Sequence, residues 1–292
     1  MELKVKNKDN VVIAKQAVLS FKKAIFNSKS NKPEDLIKKL HLLRSSILSA
    51  RTKDPLTKNA VDCILYNIKP YNILKLKHEL NQRISYALNH LTDSHTKIAD
   101  YGSKKIKKGM SVYVHGYSSS IINLLLKAKK QGINFEVSTT ETNPFLSGYL
   151  VASELSKHKI HTQFYSDLAL RQALKKADII LMGAAAIAEN GQIYSELGSE
   201  LIAELADKFD VPVYVCTDCW KFSPKTTSEY NESKELRPHH ELWKNPPKEV
   251  KVLNYEYEKI NPRLIAGIIT EKGIYKPSYL VSEIKKVCPW IK

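Results

Sequence analysis

Polar and small hydroxyl residues follow several short apolar runs of this sequence, and their side chains are the ones best suited to bind a ligand. Ser118 and Ser119 open a predicted helix, where free backbone N–H groups favour a phosphate or a carboxylate. Lys221 would add a positive charge. The alternative is that the serines only cap the helix. The predicted ligand-binding residues are His115, Ser118, Ser119, Glu141, Thr142, Asn190, Gly191 and Lys221.

The cysteine and glycine patterns predict neither a metal site nor a nucleotide cofactor. Cys216 and Cys219 form a C-x-x-C pair, which occurs in zinc sites and in thioredoxin-like redox sites. Zinc sites generally need a second such pair or a histidine pair, and none follows at a suitable spacing. The sequence also contains no G-x-G-x-x-G segment and no Walker A segment. We therefore expect no metal, no cofactor and a structural role for the two cysteines.

Short β-rich runs alternate with helical stretches from Gly109 onward, and this alternation predicts the elements that position the candidate residues. One of the predicted helices is SELGSELIAELADKF, which begins at Ser195. The pattern is typical of a Rossmann-like parallel sheet with helices on both faces. The candidate residues would lie at the carboxyl edge of that sheet, where ligands bind. The predicted strands are Val112–His115, Phe135–Thr139, His161–Tyr165, Ile179–Gly183, Val211–Cys216 and Leu264–Thr270.

The first part of the chain has the pattern of amphipathic helices. Apolar residues recur at helical spacing along Leu36–Ala50, after Pro33, and again along Ile73–Tyr101. The fold class is therefore α/β, with a helical N-terminal domain at 1–109 and a Rossmann-like α/β domain at 110–292. The polar stretch at 223–249 predicts a long loop, which in such folds is often functional.

The charge of the chain predicts an anionic partner. Lysine and arginine number 46 against 30 acidic residues, giving a formal net charge of +16. Only six of the basic residues are arginine, and no basic patch is interleaved with aromatics. We therefore expect no nucleic-acid partner. The charged start and the lack of a run of about 18 apolar residues predict a cytoplasmic chain without a membrane partner.

Five segments of the sequence resemble motifs of the translation initiation factor 2B alpha/beta/delta subunit family. They occur in the family's order and cover most of the chain from Ala50 onward, which makes the resemblance more specific than any single motif. The segments are ARTKDPLTKNAV, TETNPFLSG, DLALRQALKKADIILMGAAAIAENG, VPVYVCTDCWKF and NPRLIAGIITEKGIYKPS.

The resemblance implies either of two functions. Some members are regulatory subunits of the nucleotide exchange factor that acts on initiation factor 2. Others are aldose–ketose isomerases, which act on ribose-1,5-bisphosphate or methylthioribose-1-phosphate with a cysteine and an aspartate. Here those two positions are Gly116 and Ala185, and neither can transfer a proton. A family lysine that faces phosphate is replaced by Glu196, and an arginine by Asn143.

These departures favour the regulatory alternative. HGYS also resembles the H-A-Y-S of alpha-type subunits, so we expect a non-catalytic regulatory subunit of that type. It would act through assembly as a homodimer or with related subunits, and initiation factor 2 is an expected partner. A sugar phosphate or a nucleotide would be an effector in the old active-site pocket. The alternative is a sugar-phosphate isomerase of the ribose-1,5-bisphosphate type, in which Asp218 or Cys219 replaces the missing groups.

Overall fold

Four helices come first among the described residues, and a β-rich part follows them. The computed structural model describes residues 10–49, 54–70, 72–224 and 236–291. Parts of two predictions, at residues 50–53 and 225–235, lie outside the described residues. Pro33 stands at the first position of the second helix, followed by two acidic residues that suit the positive end of the helix dipole. The helices are α1 (Asn10–Phe26), α2 (Pro33–Ser49), α3 (Pro55–Leu65) and α4 (Ile73–Gly102).

The β-rich part alternates strands with helices, as the sequence predicts. Its strands are β1 (Ser111–His115), β2 (Glu136–Thr140), β3 (Thr162–Tyr165), β4 (Ile179–Gly183), β5 (Ala186–Ala188), β6 (Ile193–Glu196), β7 (Val213–Cys216), β8 (Phe222–Ser223), β9 (Tyr257–Ile260), β10 (Gly267–Thr270) and β11 (Gly273–Tyr275). Its helices are α5 (Ser119–Lys130), α6 (Ser147–Lys157), α7 (Leu170–Leu174), α8 (Ser199–Lys208) and α9 (Pro277–Val287).

In the described part of the chain, the main sheet has seven strands in the order β11-β10-β7-β4-β1-β2-β3. All neighbours pair in parallel except β10 and β11, which are antiparallel. The chain builds outward from β1 in one direction through β2 and β3, and in the other through β4, β7 and β10. This is the strand order of the doubly wound Rossmann fold, with its switch point between β1 and β4. The predicted α/β, Rossmann-like fold class is confirmed.

Both faces of the main sheet are covered, because successive strand residues point to opposite sides. In β1, Val112 and Val114 join a hydrophobic cluster with α4, α5 and α6, whereas Tyr113 joins the cluster on the other face. In β4, Leu181 and Met182 divide in the same way. The cluster on the Tyr113 face also contains buried residues of α7, α8 and α9. The covering of both faces explains why these strands are continuous apolar runs in the sequence.

A second, smaller sheet was not predicted from the sequence. Within the described residues it has four strands in the order β8-β5-β6-β9, with β5–β6 and β6–β9 antiparallel. The helix predicted from Ser195 is wrong at its start, because Ser195 and Glu196 belong to β6 and the helix begins at Ser199. Gly198 separates the two elements with a φ of +97°, a left-handed turn that glycine adopts without strain.

The helical and β-rich parts share one hydrophobic core. The larger buried cluster includes Phe21 of α1, Leu56 of α3 and Leu80 of α4 together with Met182 of β4 and Trp220. The division into domains at 109/110 therefore stays a prediction. In the described part of the predicted loop, a 3-10 turn spans His239–Glu241. None of the described helices combines the length and the apolar character needed to cross a bilayer.

Candidate functional site

A cavity of about 140 Å³ lies at the carboxyl ends of β1 and β4. This is the switch point of the sheet, where the loops after the two strands separate in opposite directions and leave a crevice. Four of the eight predicted ligand-binding residues line it. The lining residues are Asn10, Val11, His95, His115, Gly116, Tyr117, Ser118, Ser119, Ser120, Gly183, Ala184, Ala185, Ser195, Glu196, Asp218, Lys221 and Tyr257.

The serines at the start of α5 face this cavity. Ser118 is the N-cap residue of α5, but its side chain makes no capping hydrogen bond in the described part of the chain. Ser120 Oγ lies 2.9 Å from His95 Nδ1. The side chain of Ser118 therefore does not cap the helix, in contrast to the alternative that these serines have only a capping role. The backbone N–H groups that begin α5 suit an anion here.

His115 contributes a buried, neutral imidazole. Its Nε2–H donates to the backbone oxygen of Leu197 at 3.1 Å, which leaves Nδ1 as the acceptor. Among the described residues, Nδ1 has no hydrogen-bond partner. Burial lowers the pKa of His115 to about 4, so that the ring carries no charge at neutral pH.

Glu196, which the family resemblance places at a phosphate-facing lysine position, lines the cavity. Its Oε1 accepts a hydrogen bond of 2.7 Å from the hydroxyl of Ser147 at the start of α6. Its Oε2 lies against Gly116, since a Cβ added to that glycine would be 2.6 Å from it. Burial raises the pKa of Glu196 to about 7, and the charges of Glu256 and Asp167 act in the same direction.

Gly116 has to be glycine for two reasons, and both can be measured. Its φ is +70°, and the Glu196 carboxyl occupies the space of a side chain. We expect Gly116→Ala to lower the free energy of unfolding by about 2–3 kcal/mol. Glu196→Ser should remove the clash, so the double variant should recover about 1 kcal/mol in a double-mutant cycle by urea denaturation. Strictly additive losses would contradict the contact.

Lys221 lies in the cavity wall, as the sequence predicts, but it is already engaged. Its Nζ donates to the backbone oxygen of Ala184 at 2.7 Å. Asp218 holds the 3-10 turn Cys219–Lys221, because its carboxylate accepts the N–H of Trp220 at 2.8 Å. Lys221 thus reaches from the end of β7 toward the loop after β4.

The other four predicted residues do not line the cavity. Glu141 and Thr142 follow β2, on the far side of β1 from the switch point. Thr142 has a φ of +59° and donates its backbone N–H to Asp167, which ties this loop toward β3. Asn190 and Gly191 form the turn between β5 and β6, where the Asn190 amide contacts Gln192. Their binding role stays a prediction.

A buried cluster of titratable groups lies beside the cavity. His90 Nε2 is 2.9 Å from Asp218 Oδ1, and one ligand atom from each of His90, Asp218 and Glu271 lies within 4.8 Å of the others. The His90 ring stacks on Trp220 with ring centroids 3.8 Å apart. The sequence gives no sign of this cluster, because His90 lies 128 positions from Asp218. These three residues could hold a metal ion. His90 and Asp218 also form an ion pair that needs no metal.

The pKa shifts in the cluster have a common cause. Burial alone would lower the pKa of His90, but the charge and hydrogen bond of Asp218 outweigh it and raise that pKa. Burial likewise opposes ionisation of Asp218, but the charge and hydrogen bond of His90 outweigh it and hold the Asp218 pKa well below its usual range. Burial and the neighbouring Asp218 raise the pKa of Glu271. The arrangement is that of a charged histidine–aspartate pair beside a glutamic acid whose neutral form burial favours.

Neither cysteine of the C-x-x-C pair is suited to proton transfer. Burial raises the pKa of Cys216 to about 12, and burial together with Glu271 raises that of Cys219 well above its usual value. A reactive thiol needs the opposite shift. The alternative in which Cys219 replaces the missing isomerase groups is therefore not supported.

The fold and the cavity define a class, a doubly wound α/β protein with a ligand crevice at its switch point. The sequence profile of the Initiation factor 2 subunit family matches residues 6–277. The chain belongs to this family.

Known relatives carry two kinds of name. The chain is 28% identical over 261 residues to ribose 1,5-bisphosphate isomerase of Methanocaldococcus jannaschii, covering 89% of this chain and 84% of that one. It is 30% identical over 221 residues to translation initiation factor eIF2B subunit alpha of Dictyostelium discoideum, covering 72% and 69%. The tetrameric eIF2B-beta2-delta2 complex of Chaetomium thermophilum contains a similar fold, with a TM-score of 0.75, 19% identity and coverage of 97% and 91%.

Proposed function

We propose that this chain is a non-catalytic regulatory subunit of the initiation factor 2B type, which works in the cytoplasm by assembling with itself or with related subunits. In this proposal a helical domain at 1–109 and a Rossmann-like domain at 110–292 offer the protein surfaces. The cavity between β1 and β4 senses a small effector.

One observation carries the proposal, namely the chemistry of the cavity at its two expected proton-transfer positions. Gly116 and Ala185 both line the cavity, and neither side chain can accept or donate a proton. Glu196, at the family's phosphate-facing lysine position, places a carboxyl group where a positive charge would attract the substrate. A sugar bisphosphate would therefore meet a cavity without the reacting groups and with an unfavourable charge.

Assembly is supported by the relatives and by the charge of the chain. A protein of the same fold forms a tetrameric eIF2B-beta2-delta2 complex, which supports pairing with related subunits. A formal net charge of +16 suits an acidic or phosphorylated partner, such as initiation factor 2.

A second candidate function is sugar-phosphate isomerisation. It is favoured by the relative from Methanocaldococcus jannaschii, which is named a ribose 1,5-bisphosphate isomerase and is covered over most of its length. In this alternative Asp218, which lines the cavity, or Glu196, whose pKa burial raises to about 7, would carry the proton between two carbons of the sugar. His115 would be a neutral neighbour of the reacting group.

An activity assay separates the two candidates. We expect no turnover of ribose-1,5-bisphosphate by the purified chain, and none by Ala185→Asp, because Gly116 remains inert. Any residual rate of either protein should be at least ~10³-fold below that of the Methanocaldococcus jannaschii isomerase in the same assay, because general acid–base catalysis is lost. Turnover by the unaltered chain would establish the isomerase, and turnover by Ala185→Asp alone would refute our account of the missing pair.

The same preparation tests assembly by light scattering. The regulatory proposal expects a homodimer, or a larger complex when related subunits are added. A chain that stays monomeric with and without such subunits would overturn it.

A further inference from the structure

The cavity combines a backbone that attracts anions with an anionic group of its own. The start of α5 presents backbone N–H groups to the cavity, which is the usual arrangement for binding a phosphate. The Glu196 carboxyl lies just before these groups, against Gly116 in the loop between β1 and α5. It receives hydrogen bonds from the hydroxyl of Ser147 and from the backbone N–H of Tyr117. The protein therefore supplies the acceptor oxygens that a ligand anion would otherwise bring.

The rest of the polar lining suits a ligand with hydroxyl groups. His115 Nδ1 is a buried acceptor that has no partner among the described residues. Ser118 leaves its hydroxyl out of helix capping, so this group can accept or donate. The Lys221 ammonium is bonded to the oxygen of Ala184. The volume of about 140 Å³ corresponds to roughly ten water molecules by the same measure, which is the scale of a sugar ring.

We infer that Glu196 determines the specificity of this cavity, which binds an uncharged polyhydroxylated ring, a pentose or a nucleoside, in preference to its phosphate ester. The carboxyl of Glu196 takes the place of a ligand phosphate in the loop that leads from β1 into α5, and its charge repels a second anion. This inference rests on the proposed function, in which the cavity senses an effector, and it names the chemical class of that effector.

Protonation of Glu196 should relax the preference. The groups around its carboxyl are His115 on β1, Ser147 on α6, and Asp167, Glu256 and Tyr257 on the neighbouring segments. His115 stays neutral above its pKa of about 4, so it does not change charge near neutral pH. Because the pKa of Glu196 is about 7, its carboxyl is mostly ionised above that pH and mostly neutral below it. A phosphate ester is therefore excluded more strongly as the pH rises.

Two matched ligand pairs test the inference by calorimetric titration. The pairs are adenosine with AMP and ribose with ribose 5-phosphate, each measured at about pH 6 and about pH 8. For at least one pair, the unaltered chain should bind the uncharged member more tightly at the higher pH. In Glu196→Gln this preference should fall by about tenfold or more and should lose its pH dependence beyond the titration of the ligand itself. Glu204→Gln, the same change on the exposed surface of α8, should behave like the unaltered chain.

The ratio of affinities within one pair is an internal measurement, so a partly destabilised variant still gives an answer. Glu196→Asp, which keeps the charge, should retain the preference. Tighter binding of the phosphorylated member to the unaltered chain at about pH 8, an unchanged ratio in Glu196→Gln, or no binding of any of the four compounds would each overturn the inference. These outcomes leave the light-scattering and turnover results untouched, so failure of the inference is distinguishable from failure of the proposed function.

Discussion

Replacement of Asp218 by alanine should lower the free energy of unfolding by about 3–5 kcal/mol. The side chain is buried, pairs with His90 at 2.9 Å and accepts the N–H of Trp220 at 2.8 Å. Its loss leaves a buried imidazolium without a counter-ion and a turn without its cap, which is the costly way to break an ion pair. Urea denaturation at about pH 6 measures the effect.

The loss should depend on pH in a defined direction. His90 has a raised pKa in the folded state, so its pairing with Asp218 stabilises the protein below the unfolded pKa of histidine. That contribution disappears as the pH rises through the folded pKa. The pKa of Asp218 is depressed, so its contribution is present above the unfolded pKa of aspartate and is lost in acid. The difference between unaltered chain and variant should therefore shrink toward alkaline pH and toward strong acid.

Two variants control this measurement. Asp93→Ala removes an exposed carboxylate from the same helix as His90 and should change stability by no more than about 0.5 kcal/mol. Asp218→Asn keeps an acceptor for Trp220 and should cost less than Asp218→Ala. A loss for Asp218→Ala that matches Asp93→Ala, or that does not vary with pH, would contradict the buried pair.

Six strands of the main sheet could be predicted along the chain because each of them is a local signal in the sequence. Ile179–Gly183 was predicted with the bounds that the structure gives, and β1 begins one residue before its predicted start. These strands are buried on both faces, and continuous apolar runs mark them in the sequence. The second sheet gives no such signal. Ala186–Ala188 is short, and its pairing with Phe222 and Ser223 depends on contacts between distant parts of the chain.

The candidate site was predictable only to the extent that strand ends determine position. His115, Ser118, Ser119 and Lys221 follow strands on either side of the switch point, and they line the cavity. Glu141 follows β2, and the sequence does not show that this strand lies one position away from the switch point. The contact of Glu196 with Gly116 joins the ends of strands from two different sheets, so spacing along the chain carries no sign of it.

Gly148, the single glycine of α6, should be hard to replace. A Cβ added to it would lie 1.6 Å from the backbone oxygen of Thr140 at the end of β2. In a helix the change from glycine to alanine normally stabilises by about 1 kcal/mol, but here the clash is with backbone atoms that cannot rotate away. We expect Gly148→Ala to lower the free energy of unfolding by about 3 kcal/mol or more, measured by urea denaturation.

Gly109→Ala is the matched control, because no described atom lies within 4 Å of the added carbon. Its φ of +84° alone should cost about 1–2 kcal/mol. If both variants lose the same free energy of unfolding, the close approach of α6 to β2 is wrong. The packing also has a consequence for the site, since Ser147, next to Gly148, donates to Glu196. In a folded Gly148→Ala protein the Ser147 hydroxyl should therefore be displaced. This removes one of the interactions that lower the pKa of Glu196. The pH at which the cavity changes its charge should then be higher.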